Sequence, residues 1–329
     1  MEQTYLAKKF PHERDSHIHF DEGPHIYTID GDSDFMSVTT WNHSHFGKFD
    51  ADAIITKMMA SRNWSNSKYF GQTKEEIKAG WAKNGKDASE AGTNMHYDIE
   101  CYYNQNDVEI DEDCLEWQYF MAFENDIGLD LEAYRTEWTI WDRDLKIAGS
   151  IDMIFRNPDG SLLIYDWKRC KNIKKDNSYQ SSITPCIEHL PDTNFWHYSL
   201  QLNTYKYILE KNYGEKVVGM YLVCLHPNNA NKSYIRLEVP HLPSEMADLM
   251  DMAANRNRQM SMEEAYYTAC ISHPQISKII QSRQSQQSVQ KKQRAASSVH
   301  GNSGGSMASN TPGSVEAALN FAWDNAGRM

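Results

Sequence analysis

Three residues in the stretch LKIAGSIDMIFRNPDGSLLIYDWKRCKNIKK (residues 145–175) are spaced so that they can work together: Asp152, Asp166 and Lys168. Asn157-Pro158-Asp159-Gly160 fits a type I turn followed by a left-handed glycine, the three-residue hairpin loop with Asn157 and Ser161 as its closing pair. Antiparallel partners keep a constant sum of residue numbers, and counting back from that closing pair sets Asp152 opposite Asp166. Carboxylates so placed have Cβ atoms roughly 4.5–5.5 Å apart. They repel unless a proton or a cation sits between them. Lys168, two residues past Asp166, falls on the same strand face. Two acids sharing a hard divalent cation beside an ammonium suit phosphodiester hydrolysis: the cation polarises the phosphate and acidifies water, and the lysine orients the nucleophile or neutralises developing charge. Mg²⁺ or Mn²⁺ fits oxygen-rich ligation better than Zn²⁺. The competing reading is an ordinary surface hairpin whose aspartates are solvated and whose lysine pairs with one of them.

The opposite face of the hairpin carries Ile151, Met153 and Phe155 with Leu163, Tyr165 and Trp167, a core-forming set that would hold the polar group on a rigid support. Residues 88–103 read as a helix in which His96 and Glu100 share a face, with Gly92 one turn earlier, where a missing side chain permits close backbone approach. Further on, HYSLQLNTYKYILE sets Tyr198, Gln201 and Tyr205 along one side of a helix whose apolar stripe includes Leu202, Ile208 and Leu209. Other helices are expected over about 51–84, 114–126 and 196–211. A buried strand is expected at 217–225. Upstream, SHIHF, HIYTI and FMSVTTW alternate in strand fashion with turns between them, a small β-meander over residues 1–50 packed on a core of 51–272. Strands and helices in this order suggest an α/β body with one central mixed β-sheet flanked by helices.

The chain as a whole has 329 residues, 40% of them hydrophobic and 24% charged, which excludes a mostly disordered protein and suffices for one domain of about 250 residues or two smaller ones. No run approaches the roughly 18 apolar residues of a membrane span, and the start MEQTYLAKKF lacks the apolar core of a secretion signal. An intracellular protein, cytoplasmic or nuclear, is expected, with no membrane partner. The net charge of −12 hides an asymmetry. Residues 273–329 carry six Lys/Arg against two Asp/Glu, which leaves residues 1–272 with 27 against 43, or −16. A body this acidic must grip any polyanion locally. Residues 273–312, rich in Gln, Ser, Gly and Asn, read as a disordered, flexible linker. Residues 313–329 follow as a short segment that could dock as a helix on a protein partner. The six cysteines show no CxxC pair, so reduced thiols are expected and an iron–sulfur cluster is not. His17/His19 and His43/His45 share strand-face spacing that zinc can use, but no further ligands complete a site. The GxSxG, GxGxxG and phosphate-loop patterns do not occur.

The ordered set GTNMH (92–96), GSID (149–152), DWK (166–168) and QLNTY (201–205) resembles the GTxxH, GxxD, DxK and QxxxY motifs of RecB-like nucleases in the PD-(D/E)XK superfamily. The upstream HIYTIDGDSDFMSVTTW is similar to the corresponding region of mitochondrial genome-maintenance exonucleases and of stand-alone nucleases of large DNA viruses. The resemblance implies a restriction-endonuclease-like core. It implies that His96, Asp152, Asp166 and the backbone carbonyl of Trp167 hold Mg²⁺ or Mn²⁺, that Lys168 is the catalytic lysine, that Glu100 is a supporting carboxylate, and that Gln201 and Tyr205 brace the site or touch the nucleic-acid backbone. Glu137, in RTEWTIW, is a further acid without a specific motif match. Asp166 stands where the family often has Glu, and the cysteine spacing of its iron–sulfur members is missing.

Arg169, Lys171, Lys174 and Lys175 follow Lys168 directly and would hold phosphates. Lys291, Lys292 and Arg294 offer a second basic cluster. Trp64, Tyr69, Phe70 and Trp81 are candidates either for base stacking or for the core. Two functions compete: a metal-dependent deoxyribonuclease acting on ends or single strands in replication, recombination or repair, and a nuclease-like binding or assembly module without turnover. The intact set of Asp152, Asp166, Lys168 and His96 favours the enzyme.

Overall fold

The computed structural model describes residues 4–257. The linker expected at 273–312, its basic cluster and the terminal segment at 313–329 lie outside the described residues. In chain order the elements are α1 (Tyr5–Lys9), β1 (Ile18–Asp21), β2 (Ile26–Ile29), β3 (Met36–Ser37), α2 (Val38–His43), α3 (Ala51–Met59), α4 (Lys74–Tyr103), α5 (Leu115–Asp126), β4 (Glu132–Asp142), β5 (Ile147–Arg156), β6 (Leu162–Lys168), α6 (Asn194–Asn212), β7 (Val217–Cys224), β8 (Ile235–Glu238) and α7 (Pro243–Asn257). Six strands make one mixed sheet in which β4 and β3 both pair with β5, and β6, β7 and β8 follow in order. Among the described residues no helix is long and apolar enough to cross a membrane.

The sheet is covered on both faces. Ile154, Leu162, Ile164, Met220 and Leu222 pack against α2, α6 and α7 through Val38, Leu202, Tyr205, Ile208 and Leu249. Met153, Phe155, Tyr165, Trp167 and Val223 pack against α4 and α5 through Met95, Ile99, Phe120 and Phe123. This corrects the expectation of a polar face opposite a core face. The side of β5 and β6 that bears the aspartates is core along most of its length, and its polar residues are confined to one end. Ile151 also packs with the α6 side rather than with Met153 and Phe155.

The hairpin forms as its loop chemistry dictates. Asn157 N–H reaches Ser161 O at 2.8 Å, Gly160 N–H reaches Asn157 O at 2.9 Å, and Gly160 takes φ +85°. The amino-terminal β region is a two-stranded antiparallel hairpin, β1 with β2. The third expected strand contributes only Met36 and Ser37, which join the main sheet in parallel with Ile147 and Ala148. Ser37 Oγ then accepts the Thr40 N–H and starts α2, so VTTW is helical despite its β-branched residues. The last part of the helical region expected over about 51–84 and the helix expected over 88–103 are one 30-residue helix, α4, opened by a capping box between Thr73 and Glu76. The five described cysteines are free thiols.

Candidate active site

An opening in the sheet creates the site. Along one edge of β5 runs β4. Along the other edge β3 pairs only as far as Ala148, and β6 pairs only from Met153 onward. Residues 149–152, the GSID motif, lie in the gap. Four pairs from Arg156↔Leu162 to Met153↔Tyr165 keep the register counted from the loop, and the ladder stops one pair short of the two aspartates. There the Trp167 backbone N–H donates to Asp152 Oδ2 at 2.9 Å in place of a β5 carbonyl. β7 pairs with β6 through Lys168 and keeps that strand end straight.

His96 enters from α4. Its Nε2 lies 3.0 Å from Trp167 O, and its Nδ1 lies 3.6 Å from Asp152 Oδ2 and 3.8 Å from Glu137 Oε1. Ligand atoms of His96, Glu137 and Asp152 all fall within 4.8 Å of one another. Glu137 sits between Thr136, paired with Met153, and Trp138, paired with Ile151, and so stands opposite Asp152 across the β4–β5 ladder. Its φ of +40° is rare for a residue with a side chain and is the kind of local strain, about 1–3 kcal/mol, that surroundings must impose. Ser150 Oγ donates to Glu137 Oε2 at 2.7 Å and fixes the carboxylate. Asp166 is not in this three-residue group. It is buried, and its Oδ2 lies 2.5 Å from Lys168 Nζ. Lys168 Nζ also stands 4.7 Å above the Tyr198 ring. Gln201 Nε2 donates to Tyr205 OH at 2.9 Å, and Tyr205 packs over Gly149, where a Cβ would come within 2.8 Å of the ring.

Charge is concentrated here. Burial would lower the His96 pKa, but Asp152 and then Glu137 outweigh it and carry the imidazole up to about 9. Burial raises Asp152 against the pull of His96 and Lys168. Burial likewise raises Asp166, to about 7, although Lys168 opposes it. Burial, with Glu137 and Glu22 adding repulsion, raises Glu100 to about 7. Too many negative groups share too little solvent.

The basic run leaving β6 does not act as one free patch. Arg169 Nε is committed to Glu116 Oε1 of α5 at 2.6 Å. Lys171, Lys174 and Lys175 are exposed, with Lys175 Nζ 4.4 Å over the Phe195 ring. Of the paired amino-terminal histidines, His17 meets Asp30 and His45 meets Thr184. Neither pair belongs to a metal-binding group among the described residues. Glu137 is the site residue that motif spacing did not single out. The only signal for it was an acid in a strand next to the hairpin.

The sequence profile of the PD-(D/E)XK nuclease superfamily matches residues 67–295. The chain belongs to that superfamily. No curated protein matches it. Among solved structures, the protein SSO0001 is similar at 15% identity with a TM-score of 0.28, covering 78% of this chain and 86% of its own. A protein from Eubacterium rectale, provisionally named an exonuclease, is similar at 11% identity with a TM-score of 0.30, covering 68% and 78%. Neither likeness bears on substrate.

PD-(D/E)XK nucleases use divalent metals, and the residues present fit one. One imidazole nitrogen and two carboxylates converge, beside the buried Asp166 carboxylate that is paired with Lys168. His96, Glu137 and Asp152 would hold the ion, with Asp166 adjoining. When bound, the ion supplies positive charge to polarise the phosphate and to lower the pKa of water.

Proposed function

We propose that this nuclease-superfamily chain hydrolyses phosphodiester bonds in DNA with Mg²⁺ or Mn²⁺, as an exonuclease acting on ends or single strands in replication, recombination or repair. The observation that carries the reading is the meeting of His96, Glu137 and Asp152 within electrostatic reach of Lys168. Lys168, its charge secured by Asp166, is placed to neutralise the phosphate as negative charge builds. Asp166, raised by burial to about 7, can take up or release a proton at neutral pH, while Lys168, raised by Asp166 and Asp152, stays charged. Glu100, one turn past His96 on α4, is a supporting carboxylate kept largely protonated near neutral pH by burial and by Glu137, and Tyr205, held by Gln201, keeps the GSID backbone in place. Lys171, Lys174 and Lys175 are the exposed cations left to contact phosphates. The imidazole in the donor set accommodates Mn²⁺ more readily than Mg²⁺, which prefers oxygen alone.

End-labelled linear, circular and single-stranded DNA, together with RNA, incubated with each metal test this. Cleavage of linear and single-stranded DNA that is lost in Asp152→Asn and in Lys168→Ala is expected. Cleavage that persists in both variants refutes the site, and circular duplex cut at the linear rate refutes a requirement for ends.

A further inference from the structure

A second surface lies at the other end of the helix that carries His96. The segment from Phe49 to Trp81 places aromatic rings outside rather than in the core. Phe49 is 73% and Phe70 59% exposed. Phe49 and Tyr69 each stand 6.0 Å from Trp81, and Trp64 stands 6.1 Å from Phe70. Trp81 Nε1 donates to Tyr69 OH at 2.8 Å, which fixes two of the rings, and Lys68 Nζ lies 4.8 Å over Tyr69. Trp64, Tyr69 and Trp81 are half-buried against these neighbours, and with exposed Phe49 and Phe70 they form an apolar patch of the kind that marks an interaction surface.

Charge says which partner. From residue 53 to residue 74 the chain has Lys57, Arg62, Lys68 and Lys74 and no acidic residue, inside a body of residues 1–272 with 27 Lys/Arg against 43 Asp/Glu; Lys74 pairs with Asp52 at 3.0 Å, which leaves Lys57, Arg62 and Lys68 as the cations of the segment. Lys83 and Lys86 on α4 are held only by exposed pairs to Asp87 and Glu90, which are worth little and can yield to phosphate. Fifteen residues of α4 separate Trp81 from His96, a rise of about 22 Å with the two side chains within about 60° of one another around the helix. Gly85 and Gly92 fall on that line, and a Cβ on either would meet nothing within 4 Å.

We propose that the rings of Phe49, Trp64, Tyr69, Phe70 and Trp81 form a stacking platform for the unpaired bases of a single-stranded nucleic acid whose phosphate backbone follows α4 toward His96. In a duplex the base faces are already stacked on one another, so a platform of rings selects strands whose bases are free. Lys57, Arg62 and Lys68 attract the strand. The platform rests on the nuclease reading only for the strand's destination. At a stacked rise of ~3.4 Å, the span along α4 corresponds to about six nucleotides.

The test uses the full-length protein in EDTA, so that no turnover intervenes, with a fluorescein-labelled 20-nucleotide single strand and a blunt 20-base-pair duplex read by anisotropy. The single strand is expected to bind at least tenfold tighter than the duplex and to quench tryptophan fluorescence. Phe49→Ala/Phe70→Ala is expected to lose at least tenfold of that affinity with unchanged circular dichroism, whereas Leu129→Ala, another exposed apolar residue, binds like the unaltered protein. The same affinity in the double variant within twofold, or equal affinity for the duplex, overturns the platform, and this result stands even where metal-dependent cleavage is intact. Ring-dependent binding without cleavage under any metal upholds the platform and defeats the nuclease reading instead.

Discussion

His96 Nε2 meets the backbone carbonyl of Trp167 at 3.0 Å, and this contact turns the other ring nitrogen toward Asp152 and Glu137. Helix α4 and strand β6 are thereby joined at the point where the sheet opens. The carbonyl accepts from Nε2–H, which leaves Nδ1 either to hold a proton between the two acids or to lend its lone pair to a cation.

Removing the ring should therefore weaken metal binding more than it weakens the fold. In His96→Ala, Mn²⁺ affinity measured by calorimetry is expected to fall by at least about tenfold, the loss that even outer-shell partners of a metal produce. Above pH 9, where the imidazole has lost the proton that ties it to Asp152 and Glu137, the thermal midpoint of the metal-free protein should change little, because the ring is part-exposed. An unchanged Mn²⁺ affinity would place the ion elsewhere.

Lys168 and Asp166 form a buried ion pair, so deleting one partner strands the other. Lys168→Met removes the main group that opposes the rise of Asp166, so the carboxyl is driven further up, and the variant is expected to lose stability, by up to about 3–5 kcal/mol, as urea unfolding is followed to higher pH. Asp166→Asn/Lys168→Met should recover much of that loss while cleavage stays absent. Strict additivity of the two single changes would show that the pair is not coupled.

The hairpin and its register were legible because Asn157-Pro158-Asp159-Gly160 admits one loop type, and a period of two then places Asp152, Asp166 and Lys168. Where the ladder ends was not legible. It depends on β3, a two-residue strand from more than a hundred positions upstream, taking the edge of β5 that β6 leaves free. Glu137 was hidden for a similar reason. The loop between β4 and β5 contains no glycine, and Lys146 itself takes φ +53°, so no turn signal set the pairing of Glu137 with Asp152. The doubly covered sheet was obscured by the aspartates themselves, which made a mostly apolar strand face look polar. Strand β8 and helix α7 carry weak patterns of their own and owe their place to β7 and α6, against which they pack.

The glycine of GSID has a steric role that can be measured. A Cβ at position 149 would lie 2.8 Å from Tyr205 Cε1 and 3.1 Å from Val38 Cγ2, both from packed helices. Gly149→Ala is expected to destabilise the protein by about 1–3 kcal/mol, the usual cost of overpacking. It should also displace Tyr205, lowering kcat while DNA binding persists. Adding Tyr205→Leu should restore stability without restoring kcat. Wild-type stability in Gly149→Ala alone would mean that the ring moves aside freely.

The accumulated carboxylates give the metal-free protein an unusual response to pH. Glu100 and Asp166, both pushed up to about 7 chiefly by burial, bind their protons more tightly folded than unfolded, where carboxyls titrate near 4. Their contribution to stability is complete below that unfolded value and is lost as pH rises through 7. His96, carried up to about 9, contributes fully below its unfolded value near 6.5 and loses that contribution by pH 9. All three terms have the same sign, so urea midpoints measured in EDTA should fall steadily from pH 5 to pH 9. Glu100→Gln should flatten the part of the slope between pH 5 and 7. Mn²⁺ affinity should rise over the same range, because the cation takes the place of protons that His96 and the acids release. A metal-free midpoint that climbs with pH would show that these groups titrate near their ordinary values and that the site is far less crowded with charge.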